Sequence, residues 1–414
     1  MEDDNKVMEN DPMEEEEEEE EESSPAAALP KMEPRFELAQ EAFRYGLCLR
    51  DKDEKEGQIL EKKLKEEIGS KQMAPFYEWC CGKFGWAVDE KWLSEMRAAN
   101  ETERLELEAK LEEATKNAGD TEVLDALFDA AQFYARIGDR QKAFIANDKV
   151  RDRQKVSSGK RVDSVINKIR LSLFYLDDLV VAKEQLLEAK KLAETGGDWD
   201  RNNRLAVYEA IYELANRDVD SAAKVFLGGV ATFSCPEICS YPDFVFYAVL
   251  TNLLALERPE LKKKIIDGPD VLVVIRQMPH LRDLVSALYD CDYKHFFMRL
   301  LRLEEIIQKD RYLHSHVRFL VRELRVKVYS QFLDAYKSVT LEAMATKFSV
   351  STDFLDQELA HFVGCGRLAA KIDKVQQVVH TTRPDHHSAH YQTIIKQGDL
   401  LLNQVQQLAR SVAA

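Results

Sequence analysis

The sequence predicts an all-α-dominated chain: an N-terminal helical solenoid resembling tetratricopeptide repeats, then a winged-helix module with a small β-wing, then a C-terminal bundle helix. Three observations carry this expectation. Gly and Pro number only 16 and 11 in 414 residues, against averages of about 7% and 5%, so tight turns and hairpins lack material. A helix–turn–helix unit recurs with a period near 40 residues. An apolar heptad runs through 391–412.

Charge separates the N-terminus from the rest. Residues 1–30 hold fourteen acids, nine of them the run Glu14–Glu22, and one base, Lys6. That segment carries −13 of the net −16 and leaves −3 on residues 31–414. Like charges that bury nothing predict a disordered tail over 1–30. The remainder is nearly neutral, without the balance of a nucleic-acid binder.

From residue 35 the apolar residues repeat with helical spacing: Phe36, Ala39, Phe43 and Leu47, then a second helix over Leu60–Ile68. The aromatics Phe76, Tyr77, Trp79, Phe84, Trp86 and Trp92 read as a core between helices. Residues 101–116 are dense in Glu and Lys and predict a largely solvated helix. Asp139, Asp178 and Asp218 then open successive breaks, IGDRQKAF, YLDDLVVAK and NRDVDSAAK. Each is an N-cap aspartate between two helices, and Ala143, Ala182 and Ala222 let the paired helices approach closely. Such pairs bury their faces only by stacking, which predicts a right-handed solenoid over 31–337. Its later helices are expected at 241–256, 259–266, 270–277, 280–289, 293–308 and 311–337.

At Thr340 the pattern changes. A short helix at 341–348, the turn Ser349–Ser351, a second helix at 352–363 and two short strands around Asp373-Lys374 make a winged helix, bounded at 338–385. In the final segment, 386–414, Tyr391, Ile394, Gly398, Leu401, Val405, Leu408 and Val412 step 3-4-3-4-3-4. Ile395, Leu402 and Ala409 widen the stripe beyond what one partner helix covers, which predicts an intermolecular bundle.

Catalytic, metal and nucleotide readings fail on spacing. His314-x-His316 opens a metalloprotease pattern, but Leu324 stands where its serine belongs. Gly159-Lys160 lacks the first glycine of a phosphate loop, with Gln154 in that place, and Arg161 follows where Ser or Thr is needed. Cys235-x3-Cys239 has no second pair at zinc spacing, and His386, His387 and His390 sit in a polar connector with His380 nearby. No cofactor and no metal site is expected. Seven scattered cysteines, at 48, 80, 81, 235, 239, 291 and 365, predict reduced packing residues. The opening Met1-Glu2-Asp3-Asp4 has the wrong charge for a signal peptide, and the most apolar stretch, Phe244–Leu256, is too short to span a bilayer. The expectation is a protein of cytoplasm and nucleus with no membrane partner.

A winged helix raises DNA or RNA binding as an alternative. Its second helix carries Asp353, Asp356 and Glu358 where a DNA reader needs bases, and 340–383 balances five acids with five bases. Protein docking is the better reading. The one basic stretch, 294–337, places Arg318, Arg322 and Arg325 on one helical face. That face is either a solvated stripe with local partners such as Glu323 or an electrostatic docking site for an acidic subunit surface.

An irregular helical solenoid, a winged helix and a heptad tail together resemble the PCI-domain family. The strings GGDWDRNNRLAVYEA (196–210), LYDCDYKHFF (288–297), VRELRVKVYSQFL (321–333), KIDKV (371–375), RPD (383–385) and YQTIIKQGDLLLN (391–403) are similar to a lid subunit of the 26S proteasome regulatory particle. The resemblance spans about 31–414; the polyglutamate tail and Ser349, where a Gly is expected in the turn, depart from it. It implies a non-catalytic scaffold supporting ATP-dependent degradation of ubiquitylated proteins, with a paralogous COP9 signalosome subunit as alternative. Its implied partners are the other lid PCI subunits, the deubiquitylase subunits and the base ATPases, with no nucleic acid. Phe354, Glu358, Ile372, Val375 and Val378 would form the docking edge of the winged helix, and Ile394, Leu401, Val405 and Leu408 the bundle contribution. Deleting residues 1–30 is expected to leave the thermal midpoint unchanged in a calorimetric scan; a large drop would make the tail part of the folded core.

Overall fold

The computed structural model describes residues 33–117, 119–153, 156–176, 179–196, 198–382 and 386–413. The acidic tail 1–30, Asp178 and the connector residues 383–385 lie outside the described residues. All that is described belongs to one unit, Glu33–Ala414.

Three helices open it: α1 (Phe36–Asp51), α2 (Glu54–Ser70) and α3 (Ala74–Phe84). The aromatic run forms core, as its spacing implies. Tyr77 meets Trp92 edge-on at 4.8 Å, and the Trp86 indole donates to the Tyr45 hydroxyl at 2.8 Å. The 28-residue α4 (Glu90–Asn117) buries only Leu93 and Met96, both in its first two turns. Its remainder is the solvated helix that the Glu/Lys pattern describes.

Three helix pairs follow: α5 (Asp120–Ile137) with α6 (Arg140–Arg151), α7 (Ser158–Tyr175) with α8 (Leu179–Gly196), and α9 (Trp199–Ala215) with α10 (Val219–Gly229). Asp139 and Asp218 are N-caps, accepting from the amides of Lys142 (3.1 Å) and Ser221 (3.2 Å). Ala143, Ala182 and Ala222 are completely buried. Gly138 closes α5 with φ +83°, and an added Cβ would lie 2.8 Å from the Tyr175 hydroxyl oxygen. That hydroxyl donates to the Gly138 carbonyl at 2.8 Å and joins the first pair to the second. The position needs glycine both for its backbone and for this approach.

Beyond the pairs run α11 (Tyr241–Ala255), α12 (Arg258–Leu261) continuing as a π-turn over Lys262–Ile266, α13 (Pro269–Ile275), α14 (Pro279–Tyr289), α15 (Tyr293–Gln308) and α16 (Val317–Asp334). The helix expected over 311–337 is shorter. A 3-10 turn occupies His314–His316, and α16 begins at Val317. The buried Asp310 carboxylate holds this break. It accepts from the Tyr312 and Leu313 amides (2.8 and 3.0 Å) and from the Tyr247 hydroxyl (2.5 Å), capping a turn where helical periodicity suggested continuity.

The winged helix comprises β1 (Ser338–Thr340), α17 (Leu341–Phe348), α18 (Thr352–Gly364), β2 (Ala370–Asp373) and β3 (Val378–Thr381). The sheet is antiparallel in the order β1-β3-β2, with Val379 facing both Val339 and Ile372. Only β1 escaped the sequence, being three residues long with no pattern of its own. Ser349 takes the left-handed conformation (φ +54°) between α17 and α18, at a cost of about 1 kcal/mol relative to glycine. The last helix, α19 (His386–Ala413), starts earlier than the heptad suggested. One large apolar core reaches from Phe36 to Val379, while the α5 and α6 pair buries two smaller clusters of its own, Leu124 with Val150 and Val156, and Ala135 with Ala143 and Leu171 of α7.

The N-terminal helix closes back on the middle of the chain. The Gln40 amide donates to the Lys309 carbonyl (2.9 Å) and accepts from the Arg311 amide (3.1 Å), while Arg311 reaches the Leu173 and Phe174 carbonyls at the end of α7. A further buried tie comes from α16. Lys327 donates to the carbonyls of Leu253 (2.7 Å), Leu254 (3.0 Å) and Leu256 (2.5 Å), capping the C-terminal end of α11. Burial pushes its amine down to about 8. Lys327→Met, which strands three carbonyls, is expected to cost about 2–3 kcal/mol in denaturant unfolding at neutral pH. The gap between wild type and variant is expected to widen from pH 8 toward the ordinary lysine range, because there the unfolded chain binds the proton that the folded chain has lost. A constant gap would show that Lys327 titrates normally.

Candidate subunit-docking surfaces

Helix α16 carries the winged helix on one face. Phe348, at the end of α17, lies in a cage of rings: Tyr293 stacks on it at 4.9 Å, with Tyr329, Phe332 and Phe297 at 5.1, 5.3 and 5.4 Å. Polar ties surround this cage. Glu358 of α18 pairs with Arg325 at 2.6 Å and accepts from the Tyr329 hydroxyl at 2.6 Å. Burial and the neighbouring Glu358 carboxylate push the Tyr329 phenol up, so it stays a donor. Gln331 donates to the Leu288 carbonyl at 3.1 Å, and Glu323 accepts from Arg367.

These contacts sort the residues singled out from sequence. Glu358, expected on the docking edge, has a side chain only 10% exposed and is spent on Arg325 and Tyr329. Arg325 correspondingly leaves the basic face, although its spacing places it in line with Arg318 and Arg322. Both shifts share a cause: the partner arrives from a helix about thirty residues away, which helical periodicity does not encode. Arg318 and Arg322 remain exposed, with Glu323 3.5 Å from Arg322. Phe354 is 44% exposed. Ile372 and Val378 are half-buried in the sheet, and Val375 stands at the wing tip, 94% exposed. The acids of α18 are offset locally, as Asp356 pairs with Lys374 at 3.2 Å. The winged helix thus presents no basic reading head.

Helix α19 has a different character. Tyr391, Ile394, Ile395, Leu400, Leu401, Leu402, Val405 and Leu408 are each between 59% and 67% exposed. An isolated helix gains nothing from such a stripe, whereas a helical bundle would bury it. Among the described residues no cluster of His, Cys, Asp and Glu could hold a metal ion, and no helix is long and apolar enough to cross a membrane. All seven cysteines are free thiols, and Cys80, Cys81 and Cys235 are buried.

Known proteins share this layout. The family model for 26S proteasome subunit RPN7 matches residues 89–264, α4 through the π-turn. The PCI domain matches 281–383, and the model for the 26S proteasome regulatory subunit RPN7/PSMD6 C-terminal helix matches 390–412. The 26S proteasome non-ATPase regulatory subunit 6 homolog of Arabidopsis thaliana is 44% identical over 353 residues, 85% of this chain and 91% of that protein. The chain belongs to this family. The Oryza sativa subsp. japonica member is 41% identical over 382 residues, covering 92% of this chain and 97% of its own length. The Saccharomyces cerevisiae regulatory subunit RPN7 is 34% identical over 407 residues, covering 92% and 93%. The family's three matched segments fall on the solenoid, on the body that contains α14–α18 with the sheet, and on the exposed helix α19.

The ion pair under the winged helix is open to a direct check. Arg325→Met leaves Glu358 buried without its cation and is expected to cost about 2–4 kcal/mol. Arg325→Met with Glu358→Met is expected to regain most of that loss in thermal unfolding. A double variant as unstable as the single one would mean that Tyr329, not Arg325, sets the cost.

Proposed function

We propose that the chain is a non-catalytic scaffold subunit of the 26S proteasome regulatory-particle lid, supporting ATP-dependent degradation of ubiquitylated proteins. The observation that carries this reading is α19: a 28-residue helix whose apolar stripe from Tyr391 to Leu408 is exposed, at the end of a body built on a large apolar core. Ile394, Leu401, Val405 and Leu408 would enter a bundle with helices of other subunits. The exposed wing, with Val375 at its tip and Phe354 on α18, would dock a neighbouring PCI subunit. Peptide cleavage, unfolding and deubiquitylation would belong to partners, among them the base ATPases and the deubiquitylase subunits of the lid.

Glu237, a largely buried acid, pairs with Arg204 (2.9 Å) and accepts from the Tyr208 hydroxyl (2.6 Å), tying α9 to the loop before α11. Burial raises Glu237, but Arg204 and Tyr208 outweigh it and hold the carboxyl below the usual glutamate range. A carboxylate held this way braces the fold and is not itself free to act as a base. The neutral charge of the folded body and its unpaired thiols suit a protein of cytoplasm and nucleus.

Native mass spectrometry of the tagged chain, purified gently from its own cells, is expected to show a lid or a regulatory particle with ATPases. Leu401→Asp with Leu408→Asp is expected to leave the circular-dichroism spectrum and melting of the body unchanged while abolishing co-purification. Burying two carboxylates in a bundle costs several kcal/mol. Normal incorporation of the double variant would remove α19 as the bundle element.

A further inference from the structure

The single glycine of α19 has no use within this chain. Gly398 lies more than three turns from either end of a helix that runs unbroken from His386 to Ala413. Glycine weakens a helix interior relative to alanine, and is expected there only where the backbone or a neighbour demands it. Neither demand comes from the described residues. Gly398 takes no left-handed conformation, and an added Cβ would meet nothing within 4 Å. The other described glycines that face open space are Gly82, Gly85, Gly228, Gly364 and Gly366. All of these lie in or just beyond the last turn of a helix, where glycine is commonplace.

The surroundings of Gly398 are bulky. On a helix, the side chains that flank a position are those three and four residues before and after it. For Gly398 they are Ile394, Ile395, Leu401 and Leu402, all exposed. Four aliphatic side chains around a missing one make a socket, the hole that a side chain of a facing helix enters in a coiled coil. Two occupants suit a glycine there: a closely crossing backbone, or a side chain larger than an ordinary aliphatic knob. Close crossing needs small residues one turn away as well. Ile394 and Leu402 stand at those places and hold a second backbone off, so a side chain fills the depression. The fold itself shows which kind. Gly46 is the other glycine more than a turn inside a described helix, and the Phe84 ring lies 3.2 Å from where its Cβ would be. Gly69 and Gly229, close to helix ends, seat Trp92 at 3.3 Å and Phe244 at 3.1 Å in the same way.

We infer that Gly398 is the floor of a socket for one aromatic side chain, presented by an apolar-faced helix of a partner subunit. The ring would lie on the glycine inside the aliphatic ring of four, burying more apolar area than an aliphatic knob. It would also fix the heptad layer at which the two helices meet. The layers one heptad away, at Tyr391 and Val405, carry side chains of their own, so a slip of one heptad leaves the aromatic without a seat and the socket empty. Overfilled and unfilled layers both weaken a packed core, which makes the register specific. The nearest charges, Lys396 and Asp399, are of opposite sign, and shape rather than net charge selects the partner. The inference rests on the proposed bundle role of α19 and deepens it, naming the residue that sets the register and the side chain it takes.

The test uses the full chain in its own cells, with co-purifying proteasome subunits quantified by mass spectrometry. Gly398→Leu fills the socket and is expected to lower incorporation about tenfold or more. Gly398→Ala intrudes less and is expected to lower it less, even though alanine strengthens the helix. Asn403→Leu adds bulk on the opposite, polar face and is expected to incorporate as wild type does. All three isolated variants are expected to keep at least wild-type helicity and an unchanged thermal midpoint, so a loss of assembly is not a loss of folding. In a second arm, a diazirine-bearing lysine analogue replaces Asp399 beside the socket. Its crosslinks are expected on a partner helix, within about one turn of Phe, Tyr or Trp. Normal incorporation of Gly398→Leu, an equal loss with Asn403→Leu, or crosslinks only to segments without an aromatic residue would each overturn the socket. The scaffold reading is tested separately: it survives that result if the wild type co-purifies with proteasome subunits and Leu401→Asp with Leu408→Asp does not. A wild-type chain that co-purifies with none of them overturns the scaffold reading and the socket together.

Discussion

Helix α16 is held by polar groups that would be stranded if it moved. Lys327 caps the end of α11, and Gln331 reaches the end of α14. Arg325 and Tyr329 hold Glu358 of α18, and Glu323 holds Arg367 beyond it. Just ahead of the helix, His316 donates to the Ala215 carbonyl at the end of α9 at 2.9 Å. Each such buried or half-buried group costs about 1–3 kcal/mol when its partner is withdrawn. Displacing α16 would break several at once, so solenoid and winged helix move as one body.

The N-terminal half depends on the same principle with different groups. Tyr175 joins α7 to Gly138, and its ring packs on Phe76 and Trp79 of α3. Arg311 and Gln40 then carry α1 across to the segment that leads into α16. Stacked helix pairs alone would leave an open row whose ends fray, as in solenoids held only by nearest neighbours. Here the first helix is fastened to residues about 270 positions later, and the row gains a second support.

A stiff body and an uncovered apolar helix make a coherent device. Because the body is fastened internally, its exposed features hold fixed positions, among them the wing tip at Val375. Helix α19 is the reverse case, with its apolar residues uncovered in the isolated chain. In the proposed scaffold role, helices of other subunits would cover them, and assembly and folding of this segment would become one event.

Local order was legible from residues alone. Low Gly and Pro, the capping aspartates, the buried alanines and the heptad each act within a few residues, through backbone propensity or a single helical face. They determined the helical class, the repeat units, the winged helix and the exposed stripe of α19. The three-residue β1 had too little pattern to register, and the break expected before residue 311 extends to His316, because the groups that hold it around Asp310 include Tyr247, more than sixty residues away. The same distance effect misplaced Glu358 and Arg325. Spacing put both on outward faces, and only the packing of α18 against α16 turned them toward each other. Whether a charge faces solvent or a partner depends on which helices meet, and which helices meet is settled by the core they bury together. The sequence by itself determined the elements and the family to which they belong. The tertiary structure alone decided which polar residues fasten the body and which, like Arg318 and Arg322, stay exposed to solvent.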